Sequence, residues 1–491
     1  MNKIYDMDCY PPVIFSALLD GRNGTTTTTT QPDCDCACPV DLASLSKSLL
    51  PHTSLCLHPH IRWLPLNEEF NLAYVPSFSH VAIVNTAARN LLDRFVTPYR
   101  WYTPTEKQVA QDGFATGLLV EYEADAPPPT PNALVVWLHV TNACNLRCSY
   151  CYIEKSDEAM DVATGKASVD AALRSALGAG YGRIELKYAG GEASLNMALV
   201  AQLHPYAIAQ AAACGIAVHG CVLSNGAALT RTRLKQIRTL GLDLMISVDG
   251  VGADHNRQRP NLSGGGSFIR TLAGIDHALA LGLIPHISVT VSTESVNGLP
   301  SLMDLILDRD LPFSLGFVRP VDLQTDTTAI HKSEQQIIAG MRAAYATIER
   351  RPPRRSLLGS LLDRTNLGIA HRRTCGVGKN YMVFDQRGNV AKCQMTIGQP
   401  VSSIAHPDPL AVIRADEIGV RNLPVEQKDG CRSCDWRYWC TGGCGIVTSR
   451  AYGREDVASP NCAIYKALYP DVLRLEGQRL IHWWHNQGSV G

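Results

Sequence analysis

Between residues 133 and 318, short apolar runs alternate with longer amphipathic ones. The apolar runs are Ala133 to Val140, Arg183 to Tyr188, Ala217 to Leu223, Asp243 to Val248, Pro285 to Ser292 and Phe313 to Val318. Each has the length of a strand rather than of a helix. Segments with helical spacing separate them, among them Ala167 to Ala179, Ala198 to Ala213 and Ser267 to Gly282. Strands joined by crossover helices predict a parallel sheet, and six such units suit a partial (β/α)6 barrel, an α/β fold. The polar interruptions fall just after the strands. TNACNLRCSYCY (141–152) follows the first, Gly190-Gly191-Glu192 the second, Ser224-Asn225-Gly226 the third and Ser247-Val248-Asp249-Gly250 the fourth. In such folds the C-terminal strand ends form one face, where active sites gather.

Upstream, HIRWLPLNEEFNLAYV and SHVAIVN alternate like short strands, and TAARNLLDRFV has helical spacing. TEKQVAQDGFATGLLVEY reads as helix, glycine stop and strand. Residues 57–125 are therefore expected to form a small α+β domain. Residues 1–56 contain six consecutive threonines, Thr25 to Thr30, and the stretch CDCACP; they show no periodicity and are expected to be a mobile tail. Cys34, Cys36 and Cys38 are either a soft-metal site or an exposed thiol run, and Cys9 and Cys56 stay unassigned. ADAPPPTP (124–131) reads as a semi-rigid spacer, which places a linker at 126–132. The barrel is then 133–345, a cysteine-rich module 346–465 and a terminal helix 466–491, whose IHWWHNQ reads as a packing surface. Within the module, FDQRGNVAKC (384–393) predicts a hairpin turning at Arg387-Gly388, which brings Cys375 and Cys393 back to one place. Cys214 and Cys221, on a helix end and a strand, read as core residues.

Composition adds exclusions. A chain of 491 residues has room for two to four domains, and its 45 basic side chains balance 45 acidic ones. No global attraction to nucleic acid or to an anionic membrane follows. No window is long and apolar enough for a membrane span or a signal peptide, so a cytoplasmic location is expected. Seventeen cysteines in clusters point to metal ligation in a reducing compartment rather than to a disulfide framework.

The cysteines carry the chemistry. Cys144, Cys148 and Cys151 share one loop with no fourth Cys or His near in sequence. Structural zinc takes four protein ligands. Three thiolates can hold three irons of a 4Fe-4S cube and leave the fourth open. Packed or zinc-bound thiols remain the alternative on this triplet alone. The spacing C-x3-C-x-aromatic-C, with Tyr150 as the aromatic, resembles the radical S-adenosylmethionine (SAM) signature. That resemblance implies that the open iron chelates the amino and carboxylate groups of SAM. It also implies that an electron from the cluster cleaves SAM to a 5'-deoxyadenosyl radical, which abstracts hydrogen. It assigns Gly190, Gly191 and Glu192 to the methionyl amino group, the backbone of Tyr150 to adenine, and Ser224 and Ser247 to ribose or methionine. Asn225 and Asp249 from the same motifs are counted with these contacts. Arg259 becomes the carboxylate partner, with Arg257 as competitor, because DHNRQRP replaces the relatives' His-Asp-x-x-Arg. No catalytic acid or base is assigned.

Farther on come Cys375, Gly388, Cys393, then Cys431-x2-Cys434-x5-Cys440-x3-Cys444, and Cys462. One structural zinc uses four cysteines and two use eight, an awkward fit to seven. The pattern resembles the SPASM domain, the auxiliary-cluster module of radical SAM peptide maturases. That resemblance implies a 4Fe-4S cluster fully ligated by Cys431, Cys434, Cys440 and Cys462, and another held by Cys375, Cys393 and Cys444. Tyr381 stands where some relatives place a further cysteine, so the latter cluster would keep an open iron for a substrate thiolate. With the loop cluster, three 4Fe-4S clusters are implied. Implied partners are a ribosomal precursor peptide or protein and an electron donor such as a flavodoxin or ferredoxin. The implied product is a thioether or carbon-carbon cross-link. Residues 57–125 loosely resemble the RiPP recognition element, a winged-helix domain that adds a leader segment to its sheet edge. Formylglycine formation, as in anaerobic sulfatase maturases, is the enzymatic alternative; Gln394, where those relatives carry Asp, counts against it. A cysteine-rich electron-transfer or zinc-binding scaffold is the non-enzymatic one.

Overall fold

In chain order the strands are β1 (Ile14–Phe15), β2 (Leu55–Leu57), β3 (Arg62–Pro65), β4 (Phe70–Val75), β5 (His80–Asn85), β6 (Leu119–Glu121), β7 (Ala133–Thr141), β8 (Arg183–Gly190), β9 (Ala217–Ser224), β10 (Asp243–Ser247), β11 (His286–Val291), β12 (Phe313–Phe317), β13 (Tyr381–Phe384), β14 (Asn389–Ala391) and β15 (Ser402–Ser403). They come from a computed structural model that describes residues 11–16, 54–76, 80–121, 132–319, 334–363 and 365–487. Cys9, the threonine run, Cys34, Cys36, Cys38 and the proline-rich spacer lie outside the described residues.

Strands β7 to β12 are parallel neighbours in that order, as the alternation of the sequence predicts. Helices Val162–Ala179, Met197–Ala212, Arg231–Thr239, Phe268–Ala280 and Leu299–Asp308 lie in the connections between them. All nine positions of β7 are buried, which explains an apolar run without alternation: both faces of the strand are covered. The sheet does not stop at β7. Strand β13 runs parallel to it, and β14 and β15 follow antiparallel, so the predicted hairpin of the cysteine-rich region continues the main sheet. The Asp385 carboxylate ties the hairpin turn by accepting from the N–H groups of Arg387 (2.9 Å) and Asn389 (2.8 Å).

This continuity corrects the expected boundaries. The one at 345/346 falls inside helix Glu334–Arg350, and the one at 465/466 inside helix Cys462–Gln487. Those helices are joined by an Arg342–Asp471 ion pair at 2.8 Å, and barrel, module and terminal helix share one hydrophobic core. Cysteine spacing marks where the chemistry changes, not where packing does.

Residues 57–125 begin with the antiparallel meander β3-β4-β5 and continue with helices Thr86–Leu92 and Pro104–Ala115. A capping box starts the second helix: Thr103 accepts from Glu106 N–H, and Glu106 accepts from Thr103 N–H. β2 and β6 pair in a separate two-stranded sheet. The expectation of an unstructured tail over 1–56 fails at β1, which lies antiparallel on the edge of β5 with Ile14 opposite Val84. Asn85 clamps it, accepting from Val13 N–H at 3.0 Å and donating to Pro11 C=O at 2.9 Å. Phe15 stacks on Trp484 of the terminal helix at 5.4 Å, so IHWWHNQ is the packing surface expected of it. The partners of β1 lie some 70 residues away, and local periodicity carries no trace of them. Cys221 is buried as predicted. Cys214 is exposed, because the turn that closes helix Met197–Ala212 carries it to the surface. Among the described residues no helix is long and apolar enough to cross a membrane.

Candidate active site

β7 ends at Thr141 and the chain turns into the loop of Cys144, Cys148 and Cys151, all three half-buried. The end of β8 is pressed against this loop. Gly191 N–H donates to Thr141 C=O at 2.7 Å and Glu192 N–H to Ala143 C=O at 2.9 Å. A side chain at Gly191 would place Cβ 2.4 Å from the Ala143 oxygen and 2.5 Å from that of Asn142, so only glycine allows this approach. The buried Glu192 carboxylate accepts from Ser194 N–H (3.1 Å), the Ser224 hydroxyl (2.8 Å) and Asn225 N–H (2.7 Å). Asn225 then donates to Asn145 Oδ1 at 2.8 Å and reaches Cys144 Sγ at 3.8 Å. Gly191, Glu192, Ser224 and Asn225, read from the sequence as cofactor contacts, are thus the frame that holds the cysteine loop. Ser247 is half-buried at the end of β10.

Lys155 Nζ lies 3.0 Å from Cys151 Sγ, and Leu146 N–H 3.4 Å from Cys144 Sγ. Burial pushes the Cys148 thiol up to about 11 and raises that of Cys144 as well. A metal bound here must displace those protons, and its charge is what makes the thiolates stable. Three sulfur donors on one loop fit a cluster with an open corner better than a closed tetrahedral zinc site.

Behind the loop, buried Asp249 accepts from Thr290 N–H at 2.9 Å through Oδ1 and from the Tyr150 hydroxyl through Oδ2. Arg259 Nε lies 3.4 Å from the same Oδ2, and its guanidinium carbon 5.8 Å from the centre of the Tyr150 ring. Yet Arg259 Nε and Nη1 are buried without a hydrogen-bond partner. Burial opposes the guanidinium charge, but Asp249, with Tyr150 and the Cys148 and Cys151 thiols, outweighs it and holds the pKa above the ordinary arginine value. Buried, charged and unspent donors are costly until an anion joins them. Arg257 is exposed instead, donating to Glu294 C=O at 3.1 Å and lying 3.5 Å from Asp254.

The C-terminal cysteines line two cavities. The larger is bounded by Cys375, Cys393 and Cys444 with Arg319, Tyr381 and Gln394. The smaller is bounded by Cys431, Cys434, Cys440 and Cys462 with Trp436 and Tyr469. Among the described residues no group of three or more His, Cys, Asp or Glu is placed to hold a single metal ion. In the larger cavity the Tyr381 hydroxyl donates to Gln394 Oε1 at 2.9 Å, and Cys393 Sγ lies 3.6 Å from the same oxygen. Arg319, just past β12, donates to Asp363 Oδ1 at 2.7 Å and to Phe317 C=O at 3.0 Å, and bonds the Cys444 side chain. Asp363 Oδ2 accepts from the Tyr465 hydroxyl at 3.2 Å. In the smaller cavity burial pushes the Cys431 thiol up to about 12 and raises Cys440 and Cys462. Sequence reasoning missed Arg319, although a polar residue at a strand end was the available signal; for Asp363 there was none.

Residues 138–306, which span the cysteine loop, Glu192, Asp249 and Arg259, match the family model of the Radical SAM superfamily. The chain is 25% identical over 199 residues to Fe-coproporphyrin III synthase of Methanosarcina barkeri, 40% of this chain and 44% of that protein. It is 26% identical over 184 residues to pre-heme d1 synthase of Dinoroseobacter shibae, 37% of this chain and 42% of that one. The chain thus spans less than half the length of these curated relatives. Among solved structures, native anSMEcpe with bound AdoMet and Cp18Cys peptide shares the fold with a TM-score of 0.55 at 15% identity, over 70% of this chain and 99% of that one.

Proposed function

Residues 138–306 are a radical SAM domain, and from that premise we propose that the chain is an enzyme that cleaves SAM and modifies a ribosomally made peptide or protein. Cys144, Cys148 and Cys151 would hold the SAM-binding 4Fe-4S cluster. With SAM bound, that cluster supplies the 5'-deoxyadenosyl radical. The chain's own part is to bind and orient. Arg259 offers its buried, unspent donors to the methionyl carboxylate, a pairing that an arginine fork suits, and Asp249 keeps Arg259 charged and aimed. Tyr150 closes one side, and Glu192 with Asn225 fixes the loop.

The observation that carries the reading toward a peptide maturase is the parting of seven cysteines into a set of three and a set of four, each around its own cavity. Four thiolates suit a closed cluster. Three, beside Tyr381, leave a corner where a substrate cysteine could bind, and Arg319 lends that cavity a positive charge. A thioether or carbon-carbon cross-link is the product class that a thiol-accepting site near a hydrogen-abstracting radical supports. The unit at 57–125 would dock the precursor as an added strand. Since β1 occupies one edge of its sheet, the other edge, β3, is the one left for it. A flavodoxin or ferredoxin would supply electrons.

Anaerobic reconstitution followed by iron and sulfide analysis tests this directly: about twelve irons per chain are expected for three cubes. Incubation with SAM, a reductant and a cysteine-bearing peptide encoded beside the gene should give 5'-deoxyadenosine and a peptide lighter by two hydrogens per cross-link. About four irons per chain, or deoxyadenosine with an unchanged peptide, would refute the maturase reading.

A further inference from the structure

Lys428 is among the largest fully buried side chains of the protein. Its ammonium donates to Thr441 C=O at 2.8 Å, and among the described residues it has no carboxylate within ion-pair distance. Lys392, the other buried lysine of this region, shows what a self-sufficient site looks like: it bonds the carbonyls of Asp416 and Ile418 and pairs with the Asp416 carboxylate at 2.6 Å. Burial lowers the Lys428 pKa, and Cys431, Cys375, Glu455 and Cys440, in falling order, oppose that shift when they carry negative charge. The Glu455 carboxylate accepts from the N–H groups of Arg421 (2.8 Å) and Asn422 (3.0 Å) and acts on Lys428 from beyond ion-pair distance. The other three are cysteines. Cys431 and Cys440 line the four-cysteine cavity, as does Gly442, and Cys375 lines the three-cysteine one.

The backbone is shaped to admit it. At Gly442, with φ +80°, a Cβ would lie 2.6 Å from Lys428 Cδ, 3.2 Å from its Nζ and 3.3 Å from Cys431 Sγ. Ammonium and sulfur flank one point that glycine keeps clear. An ammonium sealed from water without a countercharge is strongly disfavoured, whereas a cluster with four thiolate ligands is net negative, more so once reduced.

We propose that Lys428 is the built-in countercation of the cluster held by Cys431, Cys434, Cys440 and Cys462, raising its reduction potential. This rests on the reading that these cysteines hold clusters. Lys428 is a positioning residue: one electron from an external reductant adds one negative charge to the cluster, and the fixed ammonium offsets it without giving up its proton.

The test uses full-length protein carrying Cys144→Ala, Cys148→Ala and Cys151→Ala, so that only the C-terminal sites hold iron. About eight irons per chain are expected, and their absence overturns the cluster reading before Lys428 is touched. Redox titration followed by electron paramagnetic resonance then compares this protein with versions that also carry Lys428→Met or Gly442→Ala. Lys428→Met should move one of two cluster signals to lower potential and leave the other in place. Gly442→Ala, which displaces the ammonium but keeps it, should move the same signal less. Loss of iron from the four-cysteine site alone, with the other signal intact, also supports the proposal. Unchanged potentials at equal iron content, equal shifts of both signals, or loss of both clusters in both variants would overturn it, the last marking a role in folding only.

Discussion

Two buried arginines each share an aspartate with a tyrosine, at Asp249 with Tyr150 and at Asp363 with Tyr465. The trios look alike and are employed differently. Both terminal nitrogens of Arg319 are spent, on Asp363 and on Phe317 C=O, with Cys444 also bonded and only Nε left over. Arg259 approaches Asp249 at 3.4 Å and keeps both Nε and Nη1 free of hydrogen bonds. The same three residue types can therefore present a receptor for an outside anion or bury a fixed charge beside a sulfur. What separates the two is where the remaining donors point, which residue identity does not reveal.

The severest way to break this comparison is to remove the first region's sulfurs. Replacing Cys144, Cys148 and Cys151 together by Ala should reduce 5'-deoxyadenosine formation to background while the C-terminal region still takes up iron. Deoxyadenosine production by that variant would mean that the loop is not the radical source. Exchanging one arginine at a time sharpens the contrast. Arg259→Met should weaken SAM binding by about 2 kcal/mol, roughly 30-fold, as expected for losing hydrogen bonds to a charged group. Arg319→Met should change it less than about twofold. Equal losses in equilibrium binding would erase the distinction between receptor and fixed charge. A subtler probe is Tyr381→Cys, which offers the three-cysteine cavity an internal fourth thiolate. The wild-type spectrum should respond to a cysteine-containing peptide and not to its Cys→Ser analogue, and the variant should respond to neither.

The smallest effect belongs to a control outside both regions. His219 bridges Glu185 at 2.9 Å and Asp243 at 3.2 Å near the N-terminal ends of β8, β9 and β10, and these carboxylates, Asp243 first, raise its pKa from 6.5 to about 10. A folded-state pKa above the unfolded one gives stability that is fully present below about pH 6.5 and lost as pH rises through about 10. The side chain is about a third exposed, so solvent screening keeps the contribution below about 1 kcal/mol. His219→Gln should flatten the denaturation midpoint across that window and leave both cysteine regions spectroscopically unchanged.

The sequence disclosed whatever depends on near neighbours. The strands β7 to β12 are visible because each is an apolar run bounded by helix-spaced segments. The hairpin at Gly388 is visible because its turn residues sit between two apolar stretches. What stayed hidden depends on residues that meet only after folding. Nothing near Ile14 announces Val84, and nothing near Tyr381 announces its partner Val135. Lys428 reads as a surface lysine until Gly442 is seen to make room for it, and Cys214 as a core cysteine until its helix is seen to end one residue sooner. The sequence reads Asn225 and Glu192 as cofactor contacts and does not show their support of the loop, because a motif names chemistry without saying which neighbour receives it.

The continuation of the sheet past β7 carries a consequence for assembly. Residues Val135 to Leu138 are registered against Tyr381 to Phe384, and Asn380 adds two further hydrogen bonds, to Ala133 C=O and from Val135 N–H. A chain cut after residue 345 would lose these partners and expose along β7, a strand buried at all nine positions, a row of unpaired backbone groups, a template for edge-to-edge pairing between copies. The isolated barrel should therefore aggregate on expression, seen as light scattering and loss of a monomer peak, while the full chain does not. The cysteine-rich region is in that sense a chaperone in cis, sealing the adhesive edge of the barrel that it extends.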